Sequence, residues 1–233
     1  MGGVVTPRPH PTPTVIDFCE PGRCGQSERV SPGRHLQALL AAAARNPQRV
    51  GAVAPTSARL AERLAGVVPG TGEPVVVELG PGTGPTTAAV QHRLAGRGRH
   101  LAVELDPVLA RHVAREHPGA EVVVGDAAAL GDLLAERDIP EVDAAVSGLP
   151  WSLIRPETQR AILDAVARAL RPGAPFTTIA YLHALPMDGA RRFRALLDEV
   201  FDEVLTTRTV WRNLPPAVSY VCRRPCSRVG HDG

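Results

Sequence analysis

The 233-residue sequence contains no lysine: all 26 basic residues are arginine, set against 24 acidic residues for a net charge of +2. With alanine and proline abundant, this reads as the mark of a GC-rich coding sequence rather than of a binding surface. The near-balance of charge argues against nucleic acid as a partner, because nucleic-acid binders carry a clearly basic face. No run approaches the about 18 consecutive apolar residues that a membrane-spanning helix needs. The opening stretch, MGGVVTPRPHPTPTV, lacks the basic-then-apolar order of a signal peptide. A cytoplasmic protein is expected. Cysteine is also scarce, with Cys19, Cys24, Cys222 and Cys226 in two pairs that lack the tight Cys-x2-Cys spacing of a zinc knuckle. A cytosolic setting argues against disulfides, so free thiols and no metal site are expected.

Hydrophobic residues make up 44% of the chain and charged residues 21%, the balance of a globular domain. Residues 1–33 are rich in Pro, Gly and Arg without hydrophobic period and read as a flexible leader. Residues 34–224 read as one domain whose first part, 34–68, supplies cap helices, and 225–233 as a tail. Leu36, Leu39, Leu40 and Ala43 follow helical spacing up to Asn46-Pro47, and Ser57 is placed to cap a helix through Leu60 and Leu64. Strands and helices then alternate. Strands are expected at Val75–Leu79, Leu101–Leu105, Val122–Val124, Val142–Val146 and Phe176–Leu182. Helices are expected at Thr86–Leu94, from Pro107, at Glu157–Leu170 and at Ala190–Val200. Leu205–Trp211 and Ser219–Arg223 would close the domain as an antiparallel hairpin. Such alternation predicts an α/β fold with a mostly parallel sheet and helices on both faces.

Glu78-Leu79-Gly80-Pro81-Gly82-Thr83-Gly84 stands between the first strand and its helix, where glycines let the backbone turn tightly and approach a ligand. The spacing is not the G-x-G-x-x-G of dinucleotide binders, because the third glycine comes one residue early. Glu104 ends the second strand twenty residues after Gly84, where a carboxylate can accept both ribose hydroxyls. Asp126 follows the third strand. Three acidic residues, each at the end of a successive strand, are harder to attribute to chance than any one.

This pattern resembles motif I and its companions in the class I S-adenosylmethionine-dependent methyltransferases. The resemblance implies a Rossmann-like seven-stranded sheet and S-adenosylmethionine as cofactor. Its candidate binding residues are Glu78, Gly80, Pro81, Gly82 and Gly84 in the loop, Glu104 and Leu105 at the ribose, Asp126 and Ala127 at the adenine, and Ser147. After the fourth strand, Ser147-Gly148-Leu149-Pro150-Trp151 stands where rRNA adenine dimethylases carry Asn-Leu-Pro-Tyr, with Ser and Gly replacing the Asn. The Ser-Gly-Leu-Pro form is similar to bacterial phospholipid N-methyltransferases, as are Asn46-Pro47-Gln48-Arg49-Val50-Gly51-Ala52 and Trp211-Arg212-Asn213-Leu214-Pro215-Pro216-Ala217. The similarity spans about Arg34 to Arg224.

That resemblance implies methylation of a phosphatidylethanolamine-type lipid amine, with peripheral contact at the inner membrane face. The family's N-terminal helix is amphipathic, whereas here Ala41–Ala44 give it an Ala-rich face and only Arg34 and Arg45 carry fixed charge, weak for interfacial binding. Methyl transfer is an in-line displacement that depends on positioning and on a deprotonated amine. The candidate catalytic residues are Ser147, Trp151 for a cation–π contact with the methylated nitrogen, Tyr181 to orient it and His183 as base. Trp211 is expected to serve packing. Methylation of a soluble small-molecule amine, an rRNA adenine dimethylase relative and a non-catalytic cofactor-binding protein stand as alternatives.

Overall fold

The computed structural model describes residues 56–226. The leader, the helix expected from Arg34 to Arg45, the Asn46–Pro55 segment, Cys19, Cys24 and the end of the tail lie outside the described residues. The first described element is helix α1 (Ala58–Ala65), and the Ser57 side chain caps it by accepting from the Leu60 amide. Strand β1 (Val75–Leu79) leads through the glycine loop into α2 (Pro85–Leu94), which opens on a proline that has no amide to leave unpaired. Next come β2 (Arg99–Glu104), α3 (Pro107–Glu116) capped by Asp106, and β3 (Glu121–Val124). A single 3-10 turn (Ala127–Ala129) then feeds α4 (Leu130–Ala135). The rest is β4 (Ala144–Ser147), α5 (Pro156–Ala169), β5 (Phe176–Tyr181), α6 (Asp188–Val200), β6 (Phe201–Thr206) and β7 (Ala217–Pro225).

The seven strands form one sheet in the order β3-β2-β1-β4-β5-β7-β6. The first five run parallel, and β7 is antiparallel to both β5 and β6. Parallel strands buried on both faces are near-continuous apolar runs, and β1 and β4 are fully or almost fully buried. Alternate residues divide the core into two layers. Val76 faces Leu64, Val90 and Leu94 of α1 and α2, while Ala102 faces Val113 of α3 on the same side. Val77, Leu79, Leu101 and Val103 face the other way, onto Leu130, Ile162, Phe193 and Leu197 of α4, α5 and α6. The order reverses between β1 and β4, and the crevice beyond their carboxyl ends is the expected ligand edge of such a sheet.

Two expectations are corrected. The penultimate strand is Phe201–Thr206, not Leu205–Trp211. Helix α6 passes directly into it, and Phe201 is buried against Phe176 with ring centroids 5.8 Å apart, which fixes the strand's start. Residues 207–216 are therefore a loop at the ligand edge. Helix α4 was not anticipated; it is six residues long and holds itself to the core through Leu130 and Leu134.

Candidate functional site

The glycine loop sits at the carboxyl end of β1. Gly80 extends the ladder by donating to the Val103 carbonyl at 2.9 Å, and Gly82 then adopts a positive φ of 59° with open space where a side chain would stand. That cradle is the kind of surface against which a ligand can lie close to backbone. The Gly82 amide donates to Glu104 Oε2 at 3.0 Å, and the Asp106 amide donates to Glu104 Oε1 at 3.0 Å. Glu104 is thus clamped between the loop after β1 and the start of α3. It is 3% exposed, and burial pushes its carboxyl above the ordinary value, partly opposed by the backbone donors.

Glu78 is fully buried one step below the loop, on the face turned to α2. Its Oε2 accepts from the Thr87 hydroxyl at 2.8 Å. His100 Nε2 lies 3.2 Å from the same oxygen, off the line of a hydrogen bond. Gln91 Nε2 and His100 Nδ1 stand 2.8 Å apart and complete a buried polar cluster. Glu78 Oε1 has no hydrogen-bond partner among the described residues. A buried carboxylate oxygen with spare acceptor capacity beside a glycine cradle suits a cationic donor. Asp126 Oδ1 accepts from the Ala128 amide at 2.9 Å, with Ala127 buried behind it. Leu105 packs against the main core. The cluster formed by the loop, Glu78, Glu104 and Asp126 fits a ligand that carries an ammonium and several hydrogen-bond donors. This is the donor set of S-adenosylmethionine.

The second half of the site comes from β4 and β5. Ser147 ends β4 fully buried, and its Oγ accepts from the Leu149 amide at 3.2 Å. Gly148 donates to the Leu79 carbonyl at 2.9 Å. A Cβ at Gly148 would fall 2.7 Å from the Gly80 carbonyl oxygen, so only glycine lets the two loops touch. The Leu149–Leu153 turn, the end of β5 and the start of α6 enclose a cavity of about 440 Å³. Trp151, Ile179, Tyr181, His183, Met187 and Phe193 are among its walls, and among the described residues no wall carries a carboxylate or guanidinium.

The two tryptophans differ sharply in burial, and the expectation for Trp211 is corrected. Trp151 is 4% exposed, with one face stacked on Phe193 at 4.6 Å and its edge toward Phe176, so it belongs to the core as well as to the cavity wall. Trp211, expected in packing, is 71% exposed because its loop lies outside the strand assigned to it. Tyr181 ends β5 half-buried, and burial pushes its phenol up to about 12. His183 is exposed one turn on, its ring 6.0 Å from that of Tyr181.

Two residues that sequence reasoning missed hold this half together. Thr178 accepts from Trp151 Nε1 at 2.6 Å and donates weakly to the Ser147 carbonyl at 3.4 Å. Gln159, buried on α5, donates to the carbonyls of Trp151 and Ile154 at 2.7 and 3.0 Å. Gln159 did leave a signal, as a polar residue one turn before Leu163 on an apolar face. Thr178 left none.

A family model described as a methyltransferase domain matches residues 76–173. The ornithine lipid N-methyltransferase of Singulisphaera acidiphila is 34% identical over 177 residues, covering 75% of this chain and 88% of the relative. Ribosomal RNA small subunit methyltransferase A of Kineococcus radiotolerans is 40% identical over 106 residues, 42% of this chain and 33% of that one. Among solved structures, a SAM-dependent O-methyltransferase from Thermotoga maritima superposes with a TM-score of 0.54 at 15% identity, covering 78% of this chain and 71% of its own. Fibrillarin from Aeropyrum pernix with natively bound S-adenosyl-L-methionine gives 0.51 at 18% identity, covering 69% and 72%. At such identities these two likenesses concern the fold.

Proposed function

Because the chain belongs to the S-adenosylmethionine-dependent methyltransferases, we propose that its acceptor is the amine of a lipid headgroup, of the phosphatidylethanolamine or ornithine lipid kind. One observation carries this reading: the cavity beside the glycine loop is apolar, and its described walls include no Asp, Glu or Arg. The relative that covers most of this chain is a lipid N-methyltransferase by name, which supports the same choice. The similarity to the rRNA enzyme is confined to under half of the chain.

When bound, the cofactor supplies a methyl group activated by a sulfonium. Glu78 would hold its ammonium, Glu104 its ribose hydroxyls and Asp126 its adenine amine, while Gly80, Pro81, Gly82 and Gly84 would let the backbone lie close. Leu105 and Ala127 flank these carboxylates with apolar surface. Ser147 fixes the turn that follows β4 by accepting from the Leu149 amide, and so sets the cavity wall formed by Leu149 to Leu153. Desolvation within the apolar walls disfavours an ammonium and so delivers the acceptor with a free lone pair. The Tyr181 phenol, protonated throughout the neutral range, serves as a hydrogen-bonding guide. His183 at the rim takes the released proton to solvent. Trp151 forms a wall that positions the nitrogen, with Thr178 and Gln159 holding it.

The test is a parallel assay with labelled cofactor. Acceptors are vesicles bearing phosphatidylethanolamine or ornithine lipid, the free headgroup amines, and rRNA. The reading expects label on one of the lipids at a kcat/KM well above that of its free headgroup. Ready methylation of soluble amines or of rRNA with none of either lipid would overturn it.

A further inference from the structure

The loop between β6 and β7, residues 207–216, exposes its bulkiest apolar side chains while burying its polar anchor. Trp211 is 71% exposed and Leu214 is 79% exposed. Between and behind them, Val210 is 4% exposed in a cluster with Leu60, Ile179 and Ala217, and Asn213 is 1% exposed. Asn213 Oδ1 accepts from the Ser57 amide at 2.9 Å, and its Nδ2 donates to the Pro215 carbonyl at 2.7 Å. Val210 donates to the Ala217 carbonyl at 2.7 Å and Thr207 to the Ser219 carbonyl at 2.9 Å. The loop is therefore pinned from within, and its outward Trp and Leu are held in place by that pinning. Isolated exposed apolar residues are ordinary. A tethered Trp and Leu three residues apart on one loop are not.

Charge and position add two further observations. Arg208 and Arg212 are exposed beside them, and no Asp or Glu occurs from Thr206 through Ala217. A guanidinium grips phosphate oxygens in a fork, and an indole ring settles at the boundary of headgroup and acyl chain. The loop also borders the acceptor cavity. β7 pairs with β5 so that Ala217 lies opposite Tyr181, and the Leu182 amide donates to the Pro216 carbonyl at 2.8 Å. Met187, a cavity wall residue on the same edge, is 56% exposed.

We infer that residues 207–216 form a membrane-docking loop, with Trp211 and Leu214 entering an anionic lipid surface and Arg208 and Arg212 bound to its phosphates. Docked in this way, the enzyme turns the cavity mouth toward the headgroup layer. The inference deepens the lipid-amine reading on which it rests, and names the surface through which the acceptor is reached. Partitioning of this kind needs both an apolar and an electrostatic signal, which the loop supplies together.

The test uses the full chain and vesicles of phosphatidylcholine with or without phosphatidylglycerol, neither of which carries an acceptor amine. Docking is thereby measured apart from methylation, and failure of one does not imply failure of the other. The protein is expected to co-sediment with the phosphatidylglycerol vesicles and to release them as salt rises. Trp211→Ala with Leu214→Ala should lower the partition coefficient at least tenfold, and Arg208→Gln with Arg212→Gln should remove the preference for anionic lipid. In the unaltered chain, acyl-brominated lipid should quench the exposed tryptophan and spare buried Trp151, a readout independent of how the variants fold. Absence of sedimentation, or variants that sediment like the parent, would overturn the inference. So would a concentration-dependent dimer that Trp211→Ala abolishes while vesicle binding stays nil.

Discussion

Replacing Glu104 perturbs the point where the cofactor loop and the second strand are joined. The two carboxylate oxygens already accept the Gly82 and Asp106 amides at 3.0 Å, and the Leu105 amide also favours the carboxylate; of its roughly four lone-pair sites, capacity remains for the proposed ribose contact. A hydrogen bond to a charged acceptor is worth about 1.5–3 kcal/mol, so Glu104→Ala should weaken S-adenosylmethionine binding by about 10- to 150-fold. The orphaned Gly82 amide pushes the loss toward the upper end. Glu104→Gln keeps one acceptor and should fall near the lower end. Linkage gives a second signature. Burial raises the Glu104 carboxyl above 4.5, so in the cofactor-free protein its stabilising contribution is full below that value and fades as pH rises through the raised pKa. Hydrogen-bond donors on the cofactor favour the carboxylate, so affinity should rise with pH through the same window. Calorimetric titration across pH reads both. An unchanged Kd in Glu104→Ala, or a parent affinity flat over that window, would refute the assignment.

Thr178→Val leaves Trp151 Nε1 buried without its acceptor at 2.6 Å, a cost of about 1–3 kcal/mol. Calorimetry should show Tm lowered by about 2–10 °C with cofactor affinity nearly intact, and an unshifted Tm would contradict the role given to Thr178. The Tyr181 phenol, raised from 10 to about 12 by burial, contributes stability that is full below pH 10 and lost as pH rises through 12. Ultraviolet titration of the native protein should therefore show no Tyr181 ionisation near pH 10, and Tyr181→Phe should leave the alkaline limb of the rate profile in place. Ionisation of Tyr181 at pH 10 before unfolding would speak against its burial.

The parallel core was legible because buried strands are short apolar runs cut by turns. Val75–Leu79 ends at Gly80, and Phe176–Tyr181 follows Pro172-Gly173. Glu78, Glu104 and Asp126 stood out as a candidate set because each lies at or just past the end of a successive strand. The edge strand was not legible. Phe201–Thr206 carries an exposed Asp202 and a half-buried Glu203, while the Thr- and Val-rich stretch after it has the greater β propensity and misled the assignment. Trp211 was misread for a tertiary reason: it is exposed because Asn213 and Val210 take the loop's inward positions, whereas Trp151 stays at the cavity wall with Phe193 of α6 stacked on it. Gly148 was read only as a substitute for an Asn, and its necessity emerges once the Gly80 carbonyl is seen 2.7 Å from where its Cβ would stand.

In the proposed arrangement the apolar cavity beside the glycine loop holds the methyl acceptor while the loop holds the cofactor. Ala190 lies in the cavity wall at the start of α6, so Ala190→Trp fills the first site without touching the second. The direct measurement is the cofactor Kd of this variant alongside its kcat/KM for the preferred lipid amine. An unchanged Kd is expected with kcat/KM lowered about 100-fold or more, the scale set by displacing an acceptor from its reacting position. Full turnover in a correctly folded Ala190→Trp protein would contradict it.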